Sequence, residues 1–297
     1  MSDGILRGVD IVERLRRLRP RRASQSASMV AYARALADRG LTSVDGFRDP
    51  FARELLPPVW RWLLDLSERG MARLPRPELE KRFDTLDMLP LRVRAIDAEL
   101  ERAIAAGVQQ VVILGAGLDT RAYRLSFLKN ATVFEVDHAA TQEQKRARAA
   151  GLVPVAGRLV YVAVDFERDS LAEKLAAAGH RRDAPTVWIW EGVIMYLTDQ
   201  GFRATLRSIS DVSAPGSLLL VHYHERDTGE PRAMRVLLWL FGEPQIGLRT
   251  RKTMAEECRQ AGLTVERDSG TQEWMLQFSA ARPRRPRRFQ RLMVARK

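Results

Sequence analysis

Two glycines, Gly115 and Gly117, stand at the end of a β-branched apolar run, Val111, Val112, Ile113 and Leu114. A strand that empties into G-x-G lets a ligand approach bare backbone where any side chain would block it. An acid, Asp137, follows about 20 residues on, at the end of a second apolar run. That is the distance at which nucleotide-binding folds place a carboxylate on ribose hydroxyls. A tight turn with no ligand uses the same G-x-G, so loop and acid together carry the reading.

The loop also says which nucleoside. A dinucleotide fingerprint asks for a third Gly or Ala where Thr120 stands, and it aims a helix N-terminus at a pyrophosphate. Asp119 stands at this helix entrance, and its charge would repel a phosphate. The pattern suits a cationic, phosphate-free ligand. S-adenosyl-L-methionine is one: adenosine, a sulfonium and an amino acid.

Two further acids follow apolar runs, Asp165 (beside Phe166) and Glu191 (beside Gly192). Asp165 can accept from an adenine amino group, the Phe166 backbone N–H can donate to a ring nitrogen, and Glu191 can hold an ammonium. Each alone can equally cap a helix. Arg92 and Arg94 lie one turn before a stripe of Ile96, Leu100 and Ile104; an arginine there either reaches the loop to grip a carboxylate bidentately or forms an exposed ion pair. Methyl transfer is in-line displacement at an activated carbon, so positioning and desolvation do most of the work. A carboxylate acceptor needs no base, whereas a phenol or alcohol does. Tyr196, His222 and His224 are the candidates, set against plain packing roles. The four histidines lack ligand spacing and Cys258 is the single cysteine, so no metal is expected.

The elements that must position these residues alternate. Strands are expected at 111–114, 132–136, 159–164, 186–190 and 217–222, with helices at 141–150, 171–178 and 201–212 between them. Such alternation makes a parallel, doubly wound sheet with ligands at the carboxyl ends of its strands. Before it, helical segments are expected at 29–39, 51–56, 59–66 and 83–106, with Trp60 and Trp62 lining a chamber or packing. The basic stretch 1–22 is weakly helical. After the fifth strand, an apolar helix at 232–241 suits a lid; a helix at 253–261 and strands at 263–266 and 289–295 follow, with an exposed Arg/Pro loop at 282–288.

With 297 residues, one large domain with an added cap, or two small domains, is expected. No apolar run reaches membrane-span length and no signal-peptide core is present, so a cytoplasmic protein is expected. A lone cysteine excludes an intrachain disulfide. The net charge of +12 is confined to the ends: residues 1–30 carry +4, residues 274–297 carry +8, and residues 31–273 are neutral. A nucleic-acid enzyme more often has a basic stripe over its active domain, so nucleic acid is not the expected partner.

GAGLDTRAYRL, FEVDHAATQ, the VDF at 164–166 and EGVIMYLT at 191–198 resemble the leucine carboxyl methyltransferase family, including its bacterial polyketide O-methyltransferase-like members. The resemblance spans roughly residues 26–221. It implies a Rossmann-like class I methyltransferase sheet of seven strands, the last antiparallel, with an N-terminal helical cap. The cap would occupy residues 1–105 and the core residues 106–297, with a lid insertion near 225–250. By position it makes Arg92 the cofactor-carboxylate arginine, Gly115, Ala116 and Gly117 the cofactor loop, and Asp137 with its neighbour His138 the ribose end. Asp165 and Phe166 become adenine contacts and Glu191 a further cofactor contact. A Pro is common in the family where Ala139 stands. The expected activity is S-adenosyl-L-methionine-dependent O-methylation of a small hydrophobic acceptor. The alternatives are an RNA methyltransferase using the basic ends, a cofactor-binding module without turnover, and a dinucleotide-dependent oxidoreductase.

Overall fold

The structure, a computed structural model, describes residues 25–71, 73–75, 78, 85–166, 168–226, 245–279 and 289–297. The expected helix in 1–22, most of the expected lid (227–244) and the Arg/Pro stretch at 282–288 lie outside the described residues.

Seven strands form one sheet: β1 (Gln110–Leu114), β2 (Thr132–Asp137), β3 (Arg158–Ala163), β4 (Thr186–Trp190), β5 (Leu218–His224), β6 (Thr264–Gly270) and β7 (Gln290–Arg296). Their order is β3-β2-β1-β4-β5-β7-β6. β1 to β5 are parallel, and β7 is antiparallel to both β5 and β6. Strand order reverses between β1 and β4, so the loops after these strands flank the switch point where such sheets bind ligands.

Among the described residues, four helices precede the sheet: α1 (Gln25–Asp38), α2 (Ala52–Leu55), α3 (Pro58–Met71) and α4 (Thr85–Ala105). The sheet is interleaved with α5 (Arg121–Arg124), α6 (Ala139–Arg148), α7 (Leu171–Ala177), α8 (Asp199–Asp211), α9 (Arg251–Gln260) and α10 (Thr271–Phe278). The unbroken apolar run of β1 follows from burial on both faces. Val111 and Ile113 pack into one core with Ala31 and Leu36 of α1 and Ile96 and Leu100 of α4. Val112 and Leu114 pack on the other side with Phe202 and Leu206 of α8 and Met254 of α9. The N-terminal helices therefore share a core with the sheet that carries the glycine loop.

Three features differ from the sequence reading. β5 runs to His224 rather than stopping at His222, because β7 pairs across its end: His222 with Leu292, Tyr223 with Arg291, His224 with Gln290. β6 continues to Gly270 through an irregularity between Val265 and Arg267. α10 had no expected counterpart; the Glu273 carboxylate accepts the Gly270 N–H at 3.1 Å and opens it. Trp60 packs against Tyr32 with ring centroids 5.6 Å apart, and Trp62 is surface-exposed. Cys258 is buried, and burial pushes its thiol up to about 12. No helix among the described residues is long and apolar enough to cross a membrane.

Candidate cofactor site

The sheet register brings the expected residues to one level. Leu114 pairs with Val136 on one side and Trp190 on the other, and Trp190 with Val221. The next residue of each strand is Gly115, Asp137, Glu191 and His222. The first three line a cavity of about 440 Å³, a size ordinary for a small-molecule site. Its wall also takes Ala116, Gly117 and Asp119 from the loop, Arg121 from the start of α5, Arg92 and Val93 from α4, Phe166, Val193 and Tyr196. Ser26, Ala27, Val30 and Arg34 place α1 along the same wall.

Gly115 has φ +65°, and a Cβ there would lie 2.5 Å from Cγ2 of Val193. Both facts require glycine: the left-handed conformation costs other residues, and Val193 is too stiff to swing clear. Gly115→Ala is expected to destabilise the protein by about 1–3 kcal/mol and to narrow the cavity. Thermal denaturation with and without ligand checks this; an unshifted melting temperature would contradict it.

Asp137 closes the loop. Its Oδ2 accepts the Gly117 N–H at 2.6 Å and its Oδ1 the His138 N–H at 2.6 Å. Burial raises its carboxyl pKa above the ordinary value, opposed by those two N–H groups. Each oxygen keeps a second lone pair for a hydroxyl.

At the other end, Glu191 Oε1 accepts from Arg92 Nε at 2.7 Å and Oε2 from Arg121 Nη2 at 2.8 Å. Burial works to raise the Glu191 pKa, but Arg121 and Arg92 outweigh it and hold the carboxyl below its usual value. Arg121 also pairs with Asp97 at 2.7 Å and with Asp119. Asp119 is likewise opposed by burial and held down, at about 2, chiefly by Arg121. The acidic helix entrance is thus charged, but it is committed to Arg121 rather than bare. Thr120, where a dinucleotide loop wants glycine, is a buried junction: its hydroxyl donates to Asp49 at 2.7 Å and accepts from Arg34 at 3.0 Å and Arg124 at 3.2 Å. Arg34 also donates to the Leu118 carbonyl at 2.6 Å, tying α1 to the loop.

Of the residues singled out from sequence, Arg92, Gly115, Ala116, Gly117, Asp137, Phe166, Glu191 and Tyr196 line the cavity. Of the two candidate arginines, Arg92 points in, while the Arg94 guanidinium lies over Phe278 at 5.2 Å. His138 and Asp165 are not in the wall, though each adjoins a residue that is. His138 caps α6, its Nδ1 accepting the Ala140 N–H at 3.3 Å. The backbone N–H of Asp165 donates to Asp169 at 2.9 Å, closing the turn that presents Phe166.

His222 and His224 do not fit the base role. Neither lines the cavity, and they are 0% and 7% exposed. His222 Nδ1 accepts the Gly192 N–H at 3.3 Å; His224 contacts Gln245 at 3.0 Å and packs edge-on against Phe289. Burial pushes His222 well below its ordinary pKa, helped by Arg92 and His224. Burial takes His224 down to about 4, with Arg92 adding and Gln245 opposing. The reason is the continuation of β5: paired with β7, both rings become interior.

The donor set fits an adenosyl sulfonium amino acid. A buried carboxylate faces the loop, and a guanidinium and a second carboxylate offer both signs to a zwitterion. Sequence reasoning missed Arg121, Arg34 and Asp97. The DTR in the loop motif contains Arg121, but nothing local announces a partner 70 residues away.

The comparisons with known proteins agree. The leucine carboxyl methyltransferase family model matches residues 27–210. A protein of Mycolicibacterium paratuberculosis, named as an S-adenosyl-L-methionine-dependent methyltransferase, is 38% identical over 215 residues, covering 71% of this chain and 69% of its own. One of Mycolicibacterium vanbaalenii with the same name is 38% identical over 226 residues, covering 70% of each chain. Among solved structures, a methyltransferase of Thermobifida fusca superposes with TM-score 0.56 at 15% identity, over 91% of this chain and 94% of that one; at that identity it supports the fold alone. The chain belongs to the leucine carboxyl methyltransferase family and is an S-adenosyl-L-methionine-dependent methyltransferase.

Proposed function

We propose that this methyltransferase acts on oxygen, methylating a carboxylate or hydroxyl of a small, hydrophobic acceptor. The observation that carries the reading is the make-up of the cavity wall described above. The glycine loop, Asp137 and the Arg92–Glu191 pair supply its polar anchors, and Val30, Val93, Val193, Phe166 and Tyr196 supply an apolar remainder. The cofactor supplies a sulfonium-activated methyl group. Asp137 accepts from the ribose hydroxyls, the Phe166 segment borders the adenine, Arg92 holds the amino-acid carboxylate and Glu191 the ammonium. α1 and Val193 exclude water from the reacting oxygen.

No histidine lines the cavity among the described residues, and Arg121 and Arg92 keep Asp119 and Glu191 ionised and engaged. An acceptor that arrives as an anion needs nothing more. A hydroxyl acceptor relies on its own acidity or on the Tyr196 phenol. Carboxylic acceptors are therefore expected to react at a rate flat from about pH 6 to 9, and phenols at a rate rising about tenfold per pH unit up to their own pKa. Release of S-adenosylhomocysteine from matched acid and phenol panels, with product mass analysis, tests this. Methylation of amine or thiol acceptors with neither oxygen class turned over would overturn it.

A further inference from the structure

Arg121 is 1% exposed, yet its one guanidinium serves three carboxylates on three elements. Nε donates to Asp97 of α4 at 2.7 Å, Nη2 to Glu191 beyond β4 at 2.8 Å, and Nη1 to Asp119 of the glycine loop. The second oxygen of Asp97 accepts from Arg124 Nη2 at 2.6 Å. Arg92, Arg121 and Arg124 thus balance Asp97, Asp119 and Glu191 in a buried cluster. Arg92 itself is held through Nε alone; among the described residues its two terminal nitrogens have no hydrogen-bond partner, and Arg92 lines the cavity.

We propose that Arg121 is a positioning residue for the amino-acid end of the cofactor. By occupying one oxygen of Glu191 it stops Glu191 from closing bidentately on Arg92, and so keeps the Arg92 fork free for a carboxylate. A carboxylate and a guanidinium left to themselves form two parallel bonds. That closed pair would consume both groups a zwitterion needs. Asp97 and Asp119 fix Arg121 in turn, so the geometry of Glu191 is set by α4 and the loop together. This role rests on the cavity holding the cofactor as proposed above.

The test compares two ligands on the full chain by calorimetry: S-adenosylhomocysteine, and methylthioadenosine, which lacks the amino-acid end. Arg121→Met is expected to weaken S-adenosylhomocysteine about thirtyfold while leaving methylthioadenosine unchanged. Arg121→Lys should recover part of the loss, since one ammonium cannot serve three carboxylates in a plane. Equal loss of both ligands, or of neither, in a variant with an unchanged circular dichroism spectrum would overturn the role. Should Arg121→Met not fold, Arg121→Lys decides, because the ratio of the two affinities must still fall. If the unaltered protein binds neither ligand, the cofactor reading fails and takes this role with it. If it binds both and the ratio is unmoved by substitution, Arg121 alone is refuted.

Discussion

Asp137→Ala is expected to weaken S-adenosyl-L-methionine binding by about 2–5 kcal/mol, roughly thirtyfold to several thousandfold. Two losses combine. The ribose hydroxyls lose their acceptor, and the Gly117 and His138 N–H groups, each bound to its own oxygen at 2.6 Å, lose theirs. Asp137→Asn should be nearly as damaging. Its amide can accept one N–H but must turn NH₂ toward the other, setting donor against donor. The pH dependence has a definite sign. Burial lifts the native carboxyl above its ordinary pKa, so acidification protonates it, and cofactor affinity falls, at a higher pH than an ordinary aspartate would require. Calorimetry across pH, with thermal denaturation to confirm folding, checks both. Wild-type affinity in Asp137→Ala would remove the basis for the site.

Lys145→Met should be the most damaging change to stability, about 3–5 kcal/mol. Lys145 of α6 and Glu135 of β2 form a 2.5 Å pair with side chains each 1% exposed. Removing the ammonium leaves a fully buried carboxyl facing Asp119 and Asp137, which add to the cost of charging it. Even with Lys145 present, burial pushes Glu135 up to about 7. That lies above its unfolded value, so between the two the native state holds more protons than the unfolded one. This group's contribution to stability therefore falls as pH rises through that window. Without Lys145 the native pKa climbs further and the window widens upward. The variant should lose about 1.4 kcal/mol per pH unit across it, and so be hurt more at pH 8 than at pH 6. Chemical denaturation at both values measures it. Pairing the change with Glu135→Leu should restore much of the loss, because an apolar pair of similar volume is tolerated where half an ion pair is not. A pH-independent deficit would show that Glu135 is not the cause. Lys145 also favours the charged form of Asp137, so its loss should raise that carboxyl as well.

The two histidines show where local reasoning stops. His222 stands near the end of an apolar strand, which makes it a candidate base on sequence alone. Its burial depends on β7, about 70 residues later in the chain, pairing antiparallel over the end of β5. Arg92 shows the opposite case. Sequence pattern alone does not separate Arg92 from Arg94, and the positional resemblance favours Arg92; in the structure Arg92 lines the cavity while Arg94 lies over Phe278.

Gly115, Asp137 and Glu191 were legible one residue at a time because each stands at the carboxyl end of an apolar strand, and parallel strands all end on the same side of a sheet. Strand periodicity is local, and the right-handed crossover rule turns it into a shared edge. The ion network around Arg121 was not legible. Its partners Asp97 and Glu191 come from α4 and the turn after β4, and which charges meet depends on how helices and strands pack in three dimensions. The same holds for Arg34 on the Leu118 carbonyl and for the Lys145–Glu135 pair. Strand ends and turn residues announce a site's backbone frame; the pairing of buried charges depends on long-range packing, since a charge is satisfied by whatever opposite charge the folded chain brings within reach.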